Sequence, residues 1–229
     1  MSNAEPLADT RDMHTVHTVF RRELGMAPEL VRGVADGDTV RSGVVADHIE
    51  LMLNTLGTHH RGEDVHLWPR LLERAPQATP IVHNMEAQHH AIDAAHTEIV
   101  VGVRAWRADA GHEAREWLAT TLDGFVPLLD QHLRLEEEEA VPLIGAYITA
   151  REWNAMVQEG GADLSPEVAP VLFGMLMYEA DPEVVKLSVD NMPPEIQPVI
   201  RDIASQAYAA YATNLYGTPT PPRATDRRP

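Results

Sequence analysis

The sequence contains no cysteine, and its 18 lysines and arginines stand against 35 aspartates and glutamates. Without cysteine the chain has no disulfide, no thiolate nucleophile, no iron–sulfur cluster and no sulfur-ligated zinc site, so any metal site must use nitrogen and oxygen donors. The formal net charge is -17. Because proteins bind phosphate backbones through clustered lysine and arginine, we expect no nucleic acid partner.

Long hydrophobic runs are also missing. Apolar stretches such as residues 99–103 are far shorter than the roughly 18 residues needed to span a bilayer, and no basic flank with an apolar core opens the chain. We therefore expect no membrane partner and a cytoplasmic protein. The hydrophobic share of 44% in 229 residues is enough for a sizeable globular core.

Four segments of the first 150 residues carry apolar residues at alternating spacings of three and four, which predicts helices with one face toward a core. We expect these helices at about residues 8–34, 38–73, 79–110 and 112–147. The predicted inward residues are Met13, Phe20, Leu24, Val31, Val45, Ile49, Met52, Leu56, Val82, Met85, Ile92, Ile99, Val103, Leu118, Leu122, Phe125, Leu129 and Leu143. Short connections between long helices favour an all-α, up-and-down four-helix bundle. Pro127 should kink or split the fourth helix.

The pattern changes after residue 150. Ser165-Pro166 and Asp181-Pro182 are helix start signals, and they predict a C-terminal extension of two or three shorter helices. We therefore divide the chain into a metal-binding bundle at 8–150, a helical extension at 151–216 and a disordered tail at 217–229. The extension contains no histidine and no nucleophile–base pair.

All 12 histidines lie between His14 and His132, and some replace apolar residues on the predicted inward faces. Each of the four helices contributes an inward histidine, and two of them add a glutamate. Because ionisable groups in the seam of a bundle are costly unless something pairs with them, these residues predict a shared cation. The candidate metal ligands are His17, His59, Glu63, His89, His132 and Glu136.

A repeat in the spacing supports this interpretation. The motif His-x-x-x-Glu places an imidazole and a carboxylate on one helix face, which suits one ion or a carboxylate that bridges two. It occurs twice, each time with a proline ten residues after the histidine: His59, Glu63 and Pro69, then His132, Glu136 and Pro142. His17 precedes His89 by 72 residues, and His59 precedes His132 by 73. The chain therefore resembles a duplicated helix pair.

The same residues also allow interpretations other than this metal site. A buried His–Glu hydrogen-bonded network is the main alternative to a metal. Glu86 and His89 form one Glu-x-x-His motif, typical of ferritin-like di-iron sites, but such sites need two copies. We expect His48, His83 and His112 to lie outside the site, and His66 and His96 to be buried and bonded elsewhere.

With these motifs the chain resembles the hemerythrin, or HHE cation-binding, family. The resemblance covers roughly residues 8–150 and includes the stretches DMHTVHTVFR, HHRGEDVHLWPRL and QHLRLEEEEAVPL. It implies a four-helix bundle that holds an oxo- or hydroxo-bridged non-haem di-iron centre, with the two glutamates bridging. Members of the family bind or sense dioxygen, handle nitric oxide or peroxide, or take part in iron homeostasis.

The sequence departs from the family's dioxygen carriers on the third helix. Those proteins have a His-x-x-x-His pair there, whereas Met85 and Asp93 stand four residues from His89. A fifth histidine ligand would have to come from His14, His60, His90 or His96, or else the site is more open. An open position would allow peroxide or oxygen to be activated.

We consider three alternative functions for this chain. The first is a di-iron protein that binds or senses dioxygen, nitric oxide or peroxide, with a role in iron or redox homeostasis. The second is a di-iron enzyme that consumes peroxide or nitric oxide, and the third is a regulatory or structural helical module stabilised by its metal. Nitrogen and oxygen ligands bind iron, manganese and zinc alike, so the residues alone do not identify the metal. They do not indicate an oligomeric state either.

Overall fold

The fold is helical throughout the part of the chain that the computed structural model describes, residues 5–162 and 164–226. Within those residues there is no strand, and Leu7 and Thr149 form one isolated β-bridge. The predicted all-α class is confirmed. None of the described helices is long and apolar enough to cross a membrane.

Ten α-helices follow one another along the described chain. They are α1 (Arg11–Arg32), α2 (Thr39–Gly62), α3 (Trp68–Arg74), α4 (Thr79–Asp109), α5 (His112–Leu135), α6 (Val141–Tyr147), α7 (Ala150–Ala162), α8 (Val168–Glu179), α9 (Pro182–Asp190) and α10 (Ile200–Tyr216). Two π-helical segments interrupt this series, the first π-turn at Glu63–Leu67 and the second at Glu136–Ala140. Short 3₁₀ turns occur at Pro76–Ala78 and Ala224–Asp226.

The chain forms two compact units. The central unit consists of residues 20–143, and the terminal unit consists of the chain up to Val19 together with the chain from Ile144 onwards. Helix α1 is continuous from Arg11 to Arg32 and contributes residues to both units. The grouping of the N-terminal residues with the C-terminal region differs from the predicted division at residue 150.

The core of the central unit comes from the apolar faces of its long helices. Helix α4 packs against both α2 and α5. Of the 18 residues predicted to face inward along the chain, all except Leu143 are buried. At the crossing of α4 and α5, a Cβ atom on Gly102 would lie 2.3 Å from the Trp117 ring, so a larger residue at this position would require that exposed ring to move.

The two π-turns have the same hydrogen-bond pattern. Each begins at the glutamate of a His-x-x-x-Glu motif, and the amide of the residue directly before a proline bonds to that glutamate's carbonyl: Trp68 to Glu63, and Val141 to Glu136. A proline cannot donate to the carbonyl four residues earlier, and its ring crowds that carbonyl, which favours a wider turn just before it. The repeated prolines Pro69 and Pro142 therefore have a structural role next to the glutamates.

Of the kink or split that Pro127 predicted for the fourth helix, the split does not occur at that residue. Helix α5 runs through Pro127 without being split, and the interruption lies at the second π-turn. Pro127 is exposed, so water can solvate the carbonyl left without an amide partner. The extra residue of the π-turn also shifts the register of α6, which buries Ile144 instead of the predicted Leu143.

The terminal unit contains four α-helices after residue 150, α7 to α10, where two or three were predicted. The amide of Ala150 donates to the Pro6 carbonyl at 2.8 Å, and the indole of Trp153 donates to Asp12 at 3.1 Å. Helices α8 and α10 approach so closely that a Cβ atom on Gly174 would lie 2.4 Å from the Ala204 carbonyl oxygen.

The tail differs from the disordered segment predicted at 217–229. The Tyr178 hydroxyl donates to the Pro221 carbonyl at 2.8 Å, and the Arg223 guanidinium lies 5.0 Å from the centre of the Tyr178 ring. The amide of Ala224 donates to the Glu179 carboxylate at 3.2 Å. These contacts hold the tail against α8 as far as Asp226, and residues 227–229 lie outside the described part of the chain.

Candidate metal centre

The two π-turns place a glutamate side chain each in the interior of the central unit. Glu63 and Glu136 are fully buried. Burial raises the pKa of Glu63 well above its usual value, and the neighbouring Glu136 carboxylate raises it further. Two buried carboxylates that act on each other in this way need a shared proton or a cation to offset their charge.

Glu63 lies between histidines of two different helices. One carboxylate oxygen, Oε1, is 3.1 Å from Nε2 of His59 on α2, and the other, Oε2, is 3.4 Å from Nε2 of His89 on α4. Glu136 has a comparable neighbour, since its Oε2 lies 3.6 Å from Nε2 of His132. Each glutamate therefore reaches the histidine of its own motif, and Glu63 reaches a second one.

The side chains of the central unit form two groups of potential ligand atoms. His59, Glu63 and Glu136 can each offer one atom so that all three atoms lie within 4.8 Å of one another. His60, His89 and His132 can do the same. We call these the Glu group and the His group. Because the Glu63 carboxylate has one oxygen near each group, the two groups adjoin.

His60 belongs to the His group although it directly follows His59, which lies on the predicted inward face. Its ring stacks on the His89 ring, with centroids 4.1 Å apart and an angle of 10° between the planes. It also meets the His132 ring edge-on at 4.9 Å. Among the four candidates for a fifth histidine, His60 is buried, whereas His14 and His90 are exposed and His96 is half-buried.

Two side chains outside these groups orient the histidines. Nδ1 of His89 lies 2.8 Å from Oδ1 of Asp64, and Nδ1 of His132 lies 3.1 Å from Oε1 of Gln88. An imidazole that donates from Nδ1 keeps Nε2 available as a lone-pair donor. Both histidines thus present Nε2 toward the glutamates. No sequence pattern indicated Asp64 or Gln88, because their positions depend on the π-turn and on helix packing.

The other histidines divide by burial. His17 is fully buried on α1, in the part of that helix that belongs to the terminal unit. His48 is buried with its Nε2 3.5 Å from Oε2 of Glu23, and it belongs to neither group of potential ligand atoms. His66 and His96 are half-buried rather than buried as predicted.

The donor set fits a metal ion. Within the described residues, neither carboxylate oxygen of Glu63 nor Nε2 of His89 has a hydrogen-bond partner, although all three atoms are buried. Native proteins leave few buried polar atoms unbonded, and bound ions are one established reason for such atoms. Imidazole and carboxylate are ligands that suit first-row transition metals. The cluster can therefore hold a metal cation.

Comparison with known proteins supports this conclusion. Searches of curated proteins and of solved structures give no significant match to the chain. The family model described as the hemerythrin HHE cation binding domain matches residues 8–144, more than half of the chain. Its span includes the Glu group, the His group and His17. The chain therefore belongs to the hemerythrin HHE cation-binding family.

Proposed function

We propose that this protein is a non-haem di-iron protein that binds or senses a small ligand, either a diatomic molecule or peroxide. Its centre would lie in an up-and-down bundle of four long helical segments, with the chain from α7 onwards as a helical extension. Supporting this proposal are the family membership and the two adjoining groups of nitrogen and oxygen donors.

The position of Glu63 carries the proposal. A carboxylate whose two oxygens lie 3.1 Å and 3.4 Å from Nε2 atoms of His59 and His89 is placed to contribute one oxygen to each of two ions. Paired metal sites have ions about 3.5–4 Å apart, a separation that a carboxylate can bridge. We assign Glu63 and Glu136 as bridging ligands, and His59, His89 and His132 as terminal ligands.

His60 and His17 complete the proposed set. His60 stacks on His89 in the His group. The Phe20 ring lies 5.4 Å from the His59 ring, and His17 precedes Phe20 by three residues on α1, which puts the two on the same face of that helix. His17 is fully buried. We propose its imidazole as a further ligand.

Counting ligands suggests where a small molecule would bind. The His group would supply three imidazoles to one ion, whereas His17 and His59 would supply two to the other. The ion beside His59 thus has one protein ligand fewer, and an incompletely ligated metal can accept an external ligand. A bound di-iron centre would supply electrons and a Lewis-acidic position for that ligand. The protein's own residues hold the two ions and exclude bulk water.

Elemental analysis of protein produced with added iron tests the proposal. We expect about two iron ions per chain and a near-ultraviolet charge-transfer absorption. Glu63→Ala should lose most of the bound iron, because the carboxylate that joins the two groups is removed. Glu139→Ala replaces an exposed glutamate of the second π-turn, which also contains Glu136, and this variant should retain the iron. Wild-type protein without iron, or an equal loss in both variants, would refute the proposal.

Turnover separates passive binding from catalysis at the same centre. Iron-loaded protein that consumes hydrogen peroxide catalytically, with the turnover abolished in Glu63→Ala, would establish an enzyme. Stoichiometric binding without turnover would establish a binding or sensing protein.

A further inference from the structure

The central unit has two pockets whose walls include neighbours of the candidate ligands, and they differ in polarity. The larger, of about 460 Å³, lies between α2 and α4 and is lined mainly by polar side chains, including Thr58, His60, Arg61 and Asp64. The smaller, of about 90 Å³, lies between α1 and α5. We call them the polar pocket and the apolar pocket.

The apolar pocket has a hydrophobic interior. Its walls are Phe20, Leu24, Val126 and Leu129, with Gly25 beside them, and Arg21 and Asp130 complete the lining. Nε of Arg21 lies 2.9 Å from Oδ1 of Asp130, and Nη1 of Arg21 lies 2.6 Å from Oε1 of Glu137. Because the Arg21 guanidinium forms ion pairs with these two carboxylates, its positive charge is compensated. An apolar cavity of this size suits a small uncharged molecule, as shown by the binding of xenon and benzene in other apolar cavities.

This pocket also adjoins the Glu group. Phe20, one of its walls, is the residue whose ring lies 5.4 Å from the His59 ring. Leu129, another wall, precedes His132 by three residues on α5, about 4.5 Å along the helix axis. Phe20 therefore belongs both to the wall of the pocket and to the immediate surroundings of His59.

The polar pocket leads to the other group. His60 and Asp64 line it, and both contact His89, His60 by stacking and Asp64 by its bond to Nδ1. In the proposed ligand set this side has three imidazoles on its ion and lacks the open position. An uncharged diatomic molecule gains nothing from a polar wall, whereas it partitions favourably into an apolar one.

We propose that an uncharged diatomic ligand, such as nitric oxide or dioxygen, reaches the centre through the apolar pocket between α1 and α5 and not through the larger polar pocket. The proposal rests on the proposed function, because it identifies the ligand class and route of the same site. Phe20 is the inner wall that such a ligand passes. A charged ligand such as azide is excluded from this route by the cost of desolvating its charge.

One variant fills each pocket. Val126→Phe adds a ring at the wall of the apolar pocket, where Val126 is half-buried. Gly57→Leu fills the polar pocket, and a Cβ atom on Gly57 meets nothing within 4 Å. The matched controls line neither pocket: Val101→Phe replaces an exposed valine, and Gly124→Leu replaces an exposed glycine whose Cβ would also meet nothing. None of the four residues is a candidate ligand.

The first measurement is the association rate of nitric oxide with the reduced, iron-loaded full chain by stopped-flow absorbance. Val126→Phe should slow this association by about tenfold, a change within the range that substitutions usually produce in association rates. Gly57→Leu and both controls should leave the rate unchanged. Azide binding to the oxidised protein should be unaffected by Val126→Phe. Slowing of nitric oxide by Gly57→Leu, no slowing by Val126→Phe, or equal slowing of azide by Val126→Phe would overturn the proposal.

The second measurement does not depend on iron. Xenon should bind the full chain with a saturable ¹²⁹Xe chemical shift, and Val126→Phe should abolish this binding while Gly57→Leu retains it. If Val126→Phe fails to fold, Val126→Leu provides a smaller filling residue for both measurements. Xenon binding without iron binding would refute the proposed function. The apolar pocket would still be shown to bind small uncharged molecules. Iron binding without xenon binding would refute the apolar route alone.

Discussion

Nδ1 of His89 lies 2.8 Å from Oδ1 of Asp64, the residue that directly follows Glu63. Two consecutive residues of the first π-turn thus act on the same imidazole from different directions, since Oε2 of Glu63 lies 3.4 Å from Nε2 of that ring. In a regular α-helix, neighbouring side chains diverge by about 100°. The π-turn and the close approach of α4 allow both contacts.

Asp64→Ala should weaken metal binding by about 10- to 100-fold, because the carboxylate that orients a ligating histidine and raises its basicity is lost. Asp93→Ala is the control, since Asp93 also lines the polar pocket, whereas the carboxylate at Nδ1 of His89 is that of Asp64. Competition with a chelator of known affinity measures the change. Equal affinities for Asp64→Ala and wild type would show that Asp64 has no positioning role.

His48 should make the protein less stable in mild acid. Burial lowers its pKa to about 4, and the Arg22 guanidinium lowers it too. Between pH 6.5 and 4 the unfolded chain therefore binds a proton at His48 that the folded chain does not, so the free energy of unfolding falls as the pH falls through this range. The stability difference between wild type and His48→Gln should change by about 3 kcal/mol between pH 7 and pH 4.

Urea titrations at several pH values measure this difference. Acid release of a bound metal affects wild type and His48→Gln alike, so it cancels in the comparison. His83→Gln replaces an exposed histidine and should show no pH-dependent difference from wild type. A constant difference for His48→Gln across the range would contradict the prediction.

Asp12 should have the opposite effect in the terminal unit. Burial raises its pKa to about 6, although Trp153 donates a hydrogen bond to it. Between pH 3.8 and 6 the folded chain holds a proton at Asp12 that the unfolded chain has lost, so this residue's contribution to stability falls as the pH rises through that range. At pH 7, Asp12→Asn should raise the free energy of unfolding by up to about 3 kcal/mol, because the buried charge is removed. The gain should vanish below pH 3.8, whereas Asp202→Asn, at an exposed position of α10, should change little at either pH.

Gly174→Ala should destabilise the packing of α8 on α10. The new methyl carbon would lie 2.4 Å from the Ala204 carbonyl oxygen and 2.5 Å from Cβ of Tyr208, and a backbone oxygen cannot rotate away. Overpacking of this kind costs about 1–3 kcal/mol. Gly43→Ala, in α2 with nothing within 4 Å of the new carbon, should instead stabilise its helix by up to about 1 kcal/mol. Thermal unfolding of the two variants gives the comparison, and similar melting temperatures would contradict it.

The sequence predicted the long helices well because their buried faces repeat with the helical period. Ile49, Val82 and Leu122 are buried as expected, and the buried polar residues His17, His89 and His132 fall on the same faces. Periodicity fails where the helix stops being α-helical. The π-turn at Glu136 shifted the buried position from Leu143 to Ile144.

Parts of the site depended on contacts between helices, which one helix's periodicity does not contain. The helical period alone puts His60 about 100° away from its neighbour His59, yet His60 is buried, with its ring stacked on that of His89 on α4. Likewise the tail beyond residue 216 was expected to lack structure from its prolines. Its contacts with Tyr178 depend on the position of α8, which composition does not indicate.

The two π-turns also limit how the length of this chain can vary. Each contains one residue more than an α-helical turn, and deleting that extra residue would restore the α-helix while leaving the residues after it on the same faces. After the first turn, Trp68 and Leu71 would stay in the interior, where they are now fully enclosed. A single-residue deletion in a regular part of α2 or α5 would instead rotate everything after it by about 100°. Within the long helices, the π-turns are therefore the places where the chain can lose one residue without turning its buried face outward.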